Sequence, residues 1–274
     1  MLLLFYFCLA IPLAPAASPI PRDSTAQGEL PHWFPDSAIF PRRVADGQTP
    51  QLSLSKDFDS KRIIGSIGGL QRFFQTSLGG FPLQIGIGAT VYGNFIRKPD
   101  VLDVVTVDFF VDLPIDIEIS ERLVLRTGWG HYSAHLADDG IEALHLHSIN
   151  YAKDYVPLVA AYKIPQIGGF AYGGFRFDYY TIPEVGKHWV LQLGSEFGNI
   201  RASDNFTLYG AIDLKSRQEI SWATTRSFQV GLRMLTTGSR AVRFAYTYRT
   251  GAEERGQFYS EQATVSLLGV FLDF

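Results

Sequence analysis

The chain is poor in cysteine: its 274 residues contain one, Cys8, within an N-terminal stretch that reads as a removable leader. The mature chain is therefore expected to have no disulfide and no thiol for catalysis or metal binding. Apolar runs are also short. Nothing reaches the ~20 residues of a membrane helix, and the longest run, within residues 1–17, is broken by Pro12 and Pro15. Charge of one sign is scarce too. The net charge is −3, so nothing recommends nucleic acid as a partner. No glycine-rich phosphate loop opens a helix, because Gly65–Gly69 and Gly86–Gly93 fall within strand-like segments where small residues permit curvature. No cofactor and no metal site are expected. What is present is 46% hydrophobic and 14% aromatic residues with 26 glycines. That composition fits a β-protein, either a soluble sandwich or a membrane barrel.

Residues 1–17 are uncharged and end in Ala14-Pro15-Ala16, a small-x-small pattern that fits a signal-peptidase site. Residues 18–49 carry Pro19, Pro21, Pro31, Pro35 and Pro41 with little periodicity and read as an irregular extension. This extension lies either in the periplasm or inside the lumen as a plug. From residue 50 to 274 the period is two. In Phe206–Lys215, for example, even positions are apolar or Gly and most odd positions are polar. Twelve strands are expected, at about 50–58, 63–75, 81–95, 103–117, 122–136, 147–163, 170–181, 188–199, 205–217, 224–236, 240–250 and 260–274. Most exceed the ~9–11 residues needed to cross a bilayer at a tilt, whereas soluble strands average ~5–6. Short connections (76–80, 201–204, 237–239) alternate with longer polar ones (96–102, 137–146, 218–223, 251–259). The expected fold is therefore all-β: a transmembrane antiparallel up-and-down barrel with short periplasmic turns and longer extracellular loops. Trp129, Tyr132, Tyr179, Tyr180, Trp189 and Trp222 are placed in interfacial girdles.

The polar face of each strand should line the lumen. It carries Asp108, Asp112, Arg126, Arg176, Asp178, Glu196, Asp213, Lys215, Arg233, Arg243 and Arg249, with both signs mixed. In a barrel of this size such side chains can nearly fill the interior, since a wide aqueous channel takes ~16–18 strands. A salt-bridged structural interior and a narrow pore for a small solute are the two readings.

His131, His135, His145 and His147 gather at the rim of one long loop, and His188 lies near the next. A metal site is one reading, but His131 and His135, four apart on a strand, are ~13 Å from each other. A second is hydrolysis, with Ser133 as nucleophile and His131 as base on one strand face. This His-x-Ser resembles that of outer-membrane phospholipase A and of lipid A 3-O-deacylase. The chain departs from them at Ala134, where those families carry Asn. An orienting third residue should come from the next strand, where Asn150 and Asp154 read as facing the lumen. The third reading is a polar rim that holds the loop by hydrogen bonds.

The last strand, with Gly269, Leu272 and Phe274, resembles the signal that delivers barrels to the barrel-assembly machinery of the outer membrane, although Leu267 stands where a polar residue is usual. Further motifs run through the chain: Phe40-Pro41, Gln51–Ser55, His131-x-Ser133-x-His135-Leu136 with Asp138 and Asp139, Ile149-Asn150-Tyr151, Tyr172-Gly173-Gly174, Trp189–Gln192 with Glu196, and Asp213-Leu214-Lys215 with Trp222. Together these resemble the bacterial domain-of-unknown-function family 1207. The resemblance implies a barrel in the bacterial outer membrane, with outer-membrane lipids as partners, and implies no activity.

Overall fold

The computed structural model describes residues 31–235 and 240–273. The expected leader, the first part of the extension and Phe274 lie outside these residues. Among the described residues thirteen strands form one sheet. They are β1 (His32–Trp33), β2 (Leu52–Asp57), β3 (Arg62–Leu78), β4 (Phe81–Arg97), β5 (Leu102–Glu118), β6 (Leu123–Leu136), β7 (Tyr151–Ile164), β8 (Gly169–Ile182), β9 (Trp189–Ser203), β10 (Phe206–Arg217), β11 (Ala223–Leu235), β12 (Ala241–Ala252) and β13 (Gln262–Asp273). From β2 to β13 every strand pairs antiparallel with its sequence neighbours. The last returns to the first, from Leu267 opposite Asp57 to Leu272 opposite Leu52. Twelve strands thus close a barrel, with the short β2 joining β13 to β3. The two-residue β1 adds onto β3 beyond the end of the short β2, with His32 opposite Gln75.

The barrel is apolar outside and polar inside. Ile67, Leu193, Val230 and Leu268 are among the exposed residues, Ile67 by 76% and Leu193 by 62%. Arg243 and Asp108, by contrast, are fully buried. A soluble sandwich would have these faces reversed; this polarity is that of a membrane-spanning barrel.

Connections at one end are tight, such as Gly79-Gly80 with φ of 60° and 88°. Those at the other end are mostly longer. Two long-loop segments depart from the irregular loops expected there. Residues 137–146 contain a helix, α1 (Asp138–Leu144), with Asp138 and Asp139 in its first turn, where the exposed N–H groups favour negative charge. Asp139 also accepts from the Val104 N–H at 2.8 Å. The segment after β12 does not reach outward: Glu253, Glu254, Arg255 and Gln257 are buried, so this loop folds down into the barrel.

Candidate functional site

The lumen is filled from both ends by the chain itself. From the short-turn end, residues 39–51 run inside the barrel without forming a strand. Phe40, 1% exposed, packs among Val124, Val159, Ala161, Phe170 and Tyr172. The Arg126 guanidinium lies 4.3 Å over its ring while making a paired contact with Asp116, both bonds at 2.7 Å. Higher up, Val44 and Ala45 pack against Tyr209, Ala211, Ala245 and Phe271. The chain then passes Tyr92, whose hydroxyl donates to the Thr49 carbonyl at 2.5 Å, before entering β2.

From the long-loop end, residues 253–258 descend to meet it. Lys215 joins the two segments, with Nζ 2.8 Å from Asp46 and 2.9 Å from Glu254. Arg249 lies 3.2 Å from the same Glu254. The Gly47 carbonyl accepts from Arg255 at 3.4 Å. A Cβ on Gly47 would meet Glu254 Oε2 at 2.2 Å and the Arg249 guanidinium at 2.5 Å, so a side chain there would have to displace that ion pair. Gln257 donates to the carbonyls of Ala134 and Ile149, which anchors the loop to the wall. Burial drives the Asp46 and Glu254 carboxyls upward. The cations outweigh it: Lys215 and Arg43 hold Asp46 below the ordinary range, and Lys215 and Arg249 hold Glu254 at about 2. Both carboxylates are ionised in the seated plug.

The charged residues assigned to the polar face from the sequence sit in this interior, and each is partnered. Asp108 takes the Tyr132 hydroxyl at 3.0 Å and Asp112 that of Tyr155 at 2.7 Å. Arg176 and Lys153 share Asp178. Asp213 accepts from Tyr172 and Gln192, both at 2.6 Å. Arg233 pairs with Glu196, and Arg243 with Asp273. An interior cavity of ≈ 80 Å³, bordered by Arg43, Asp46, Asp112, Arg176 and Lys215 among others, remains beside the plug. A roomier one of ≈ 320 Å³, bordered by Lys61, Arg62, Asn94 and Glu253, opens at the long-loop end. Nothing in the sequence pointed to Asp46 or Glu254, because neither segment has a strand period.

Two placements differ from the sequence reading. Tyr132 is not in a girdle. It is 1% exposed and stacks on Phe110 inside, ring centroids 4.1 Å apart. Asp154 does not face the lumen. On β7 the inward positions are Tyr151, Lys153 and Tyr155, so Asp154 points outward, directly opposite His131 of β6. His131 Nδ1 and Asp154 Oδ1 are 2.6 Å apart. Ser133 and His135 follow on the same outer face, and His135 meets Phe109 edge-on at 5.7 Å. His145 ends α1 in the left-handed conformation, φ 52°, and His147 is exposed beyond it. Among the described residues, no group of three His, Cys, Asp or Glu side chains converges as a metal cage. On the last strand Leu272 stands between Leu52 and Val242, and Gly269 lies against Ser55.

Residues 25–274 match the family described as "Protein of unknown function (DUF1207)", and the chain belongs to that family. No curated protein matches the sequence. Among solved structures it is similar to the NanC porin, at 11% identity over 82% of this chain and 98% of that one, with a TM-score of 0.44. It is also similar to the translocator domain of the autotransporter NalP from Neisseria meningitidis, at 10% identity over 84% and 91% of the two chains, with a TM-score of 0.35. At such scores neither likeness bears on role, and the barrel rests on its own strand pairing.

Proposed function

We propose that this chain is an integral outer-membrane barrel that its own N-terminal segment and β12–β13 loop keep closed, a structural barrel or narrow pore that passes a small solute only when the plug shifts. The observation that carries this reading is the Lys215 bridge between Asp46 of one segment and Glu254 of the other. A cation shared by two buried carboxylates fixes the segments against each other, and removing one partner would leave charge unpaired in a dry interior. Outer-membrane lipids surround the apolar belt, and the final strand is the segment handed to the barrel-assembly machinery.

The test is single-channel conductance in planar bilayers. The whole chain should be silent, and an Asp46→Asn, Glu254→Gln double variant should show discrete steps. Steps from the unmodified chain would overturn the closed-plug reading. Silence from the double variant and from a chain lacking residues 18–49 would leave the structural barrel and discard the pore.

A further inference from the structure

We propose that Ser133, His131 and Asp154 form an ester-hydrolysing site on the outer face of the barrel, acting on the acyl esters of lipids in the surrounding leaflet. It is independent of whether the lumen conducts. A His–carboxylate pair is out of place on a surface whose neighbours include Val156 and Leu158, both 42% exposed. Ionisable groups at a lipid-facing position are costly and rare, and they call for a functional explanation. The pair is half shielded, with side chains 35% and 26% exposed, and Trp129 stacks beside His131 at 6.4 Å.

The roles follow from the atoms. Asp154 engages Nδ1, so it fixes the ring and the tautomer and leaves Nε2 as the base. Ser133 is two residues along the same strand face, ~6.6 Å away at ~3.3 Å per residue, within reach of Nε2 by side-chain rotation. Its hydroxyl has no hydrogen-bond partner among the described residues. Opposite Asp154 the β7–β8 ladder has a bulge, with Asp154 facing Tyr180 and Tyr155 facing Asp178. The extra residue, Tyr179, stands on the outer face beside Tyr180, and its hydroxyl takes the Trp129 indole N–H at 2.8 Å. Bulges re-aim side chains next to functional sites. This one builds an aromatic shelf of the kind that Trp and Tyr form at headgroup level, where a lipid's ester bonds lie.

The step balances with water as the only co-reactant. Ser133 Oγ attacks the ester carbonyl and its proton passes to Nε2. The carbon–oxygen bond to the alcohol breaks, and the alcohol leaves with that proton. Water then attacks the acyl-serine, gives its proton to Nε2, and releases the carboxylic acid as Ser133 recovers its hydrogen. Ser133 and His131 are the catalytic residues and Asp154 is a positioning residue.

The test uses the whole chain folded in detergent micelles. A p-nitrophenyl alkylphosphonate should add to one serine, read by intact mass, and mixed micelles should release fatty acid from a phospholipid or from an acylated glucosamine lipid. Comparing these two lipids tells which source supplies the ester. Ser133→Ala should abolish labelling and lower hydrolysis by at least about 10³-fold. Asp154→Ala and Asp154→Asn should each slow labelling by about 10²- to 10⁴-fold, with heat-modifiable migration on gels unchanged. A merely structural Asp154 would leave the labelling rate alone. No labelling, labelling that survives Ser133→Ala, or no fatty acid from either lipid overturns the proposal.

Discussion

The inside of this barrel and its outer face treat charge in opposite ways. Inside, ion pairs are plentiful, buried and bound into networks: Lys215 serves two carboxylates, and Asp178 serves two cations. Outside, the wall is apolar along most of its length, and the His131–Asp154 pair stands out against it. Charge inside holds segments together, so removing one partner should damage the fold or unseat the plug. Charge outside touches only the opposite strand, so removing it should barely disturb the fold. That contrast separates a structural network from a candidate site, and substitutions on either face test it.

The largest effect is expected at Lys215→Met. It leaves Asp46 and Glu254 facing each other without their shared cation, at a cost of about 3–5 kcal/mol. Urea unfolding in lipid vesicles measures the loss, and conductance reports whether the plug is released. Acid should reach the same contact. Both carboxylates titrate lower in the seated plug than when free, so their contribution is complete above the ordinary carboxylate range and disappears as pH falls. For Glu254 that window runs from 4.5 down to about 2. Channel openings that appear on acidification through it, and are lost on return to neutral pH, would show that the plug is held by these charges. Leu193→Arg reverses the logic by adding charge to the outer belt, and about 2–4 kcal/mol should be lost near the bilayer centre. The same unfolding assay checks it. A smaller loss, about 1–3 kcal/mol, is expected for Gly256→Ala. A Cβ there would strike the Tyr151 ring at 2.4 Å and Ala134 at 2.6 Å, and neither can swing away freely. Protease access to the β12–β13 loop is a second readout.

The contrast was only partly legible in the sequence. Period-two alternation marks strands wherever one face is lipid and the other polar, so the twelve barrel strands fall close to their expected ranges. The plug was legible only as one of two placements of residues 18–49, because the segments around Asp46 and Glu254 carry no period, and Glu253-Glu254-Arg255 reads as a solvated loop. Its burial depends on Lys215 and Arg62, which lie far away in the chain. Asp154 was misread for a related reason. On β7 both faces mix polar and apolar residues, since Lys153 is buried against Asp178 and Glu219 while Asp154 looks outward. With a polar residue on each face, hydrophobicity alone does not fix the parity. The His131-x-Ser133 spacing was visible; its carboxylate was hidden by that ambiguity.

The smallest effect should therefore be the most informative. Asp154→Ala removes a part-exposed contact between directly opposed residues of β6 and β7, and pairs of that kind contribute about 0–1 kcal/mol. The structural alternative is that the pair staples β6 to β7 where their ladder is interrupted: between Arg126–Val159 and Gly130–Tyr155 no residues are paired, and that gap contains Gly128, at φ 138°, and Pro157. A staple predicts that Asp154→Ala loosens this stretch, with faster amide exchange at Trp129 and Val156 and a lower unfolding midpoint. A site predicts an unchanged midpoint, unchanged exchange and a large fall in the rate at which Ser133 is labelled. Each reading moves a measurement that the other leaves unchanged, so a single variant carried through both assays decides whether the His131–Asp154 contact on the apolar wall is there for the fold or for chemistry.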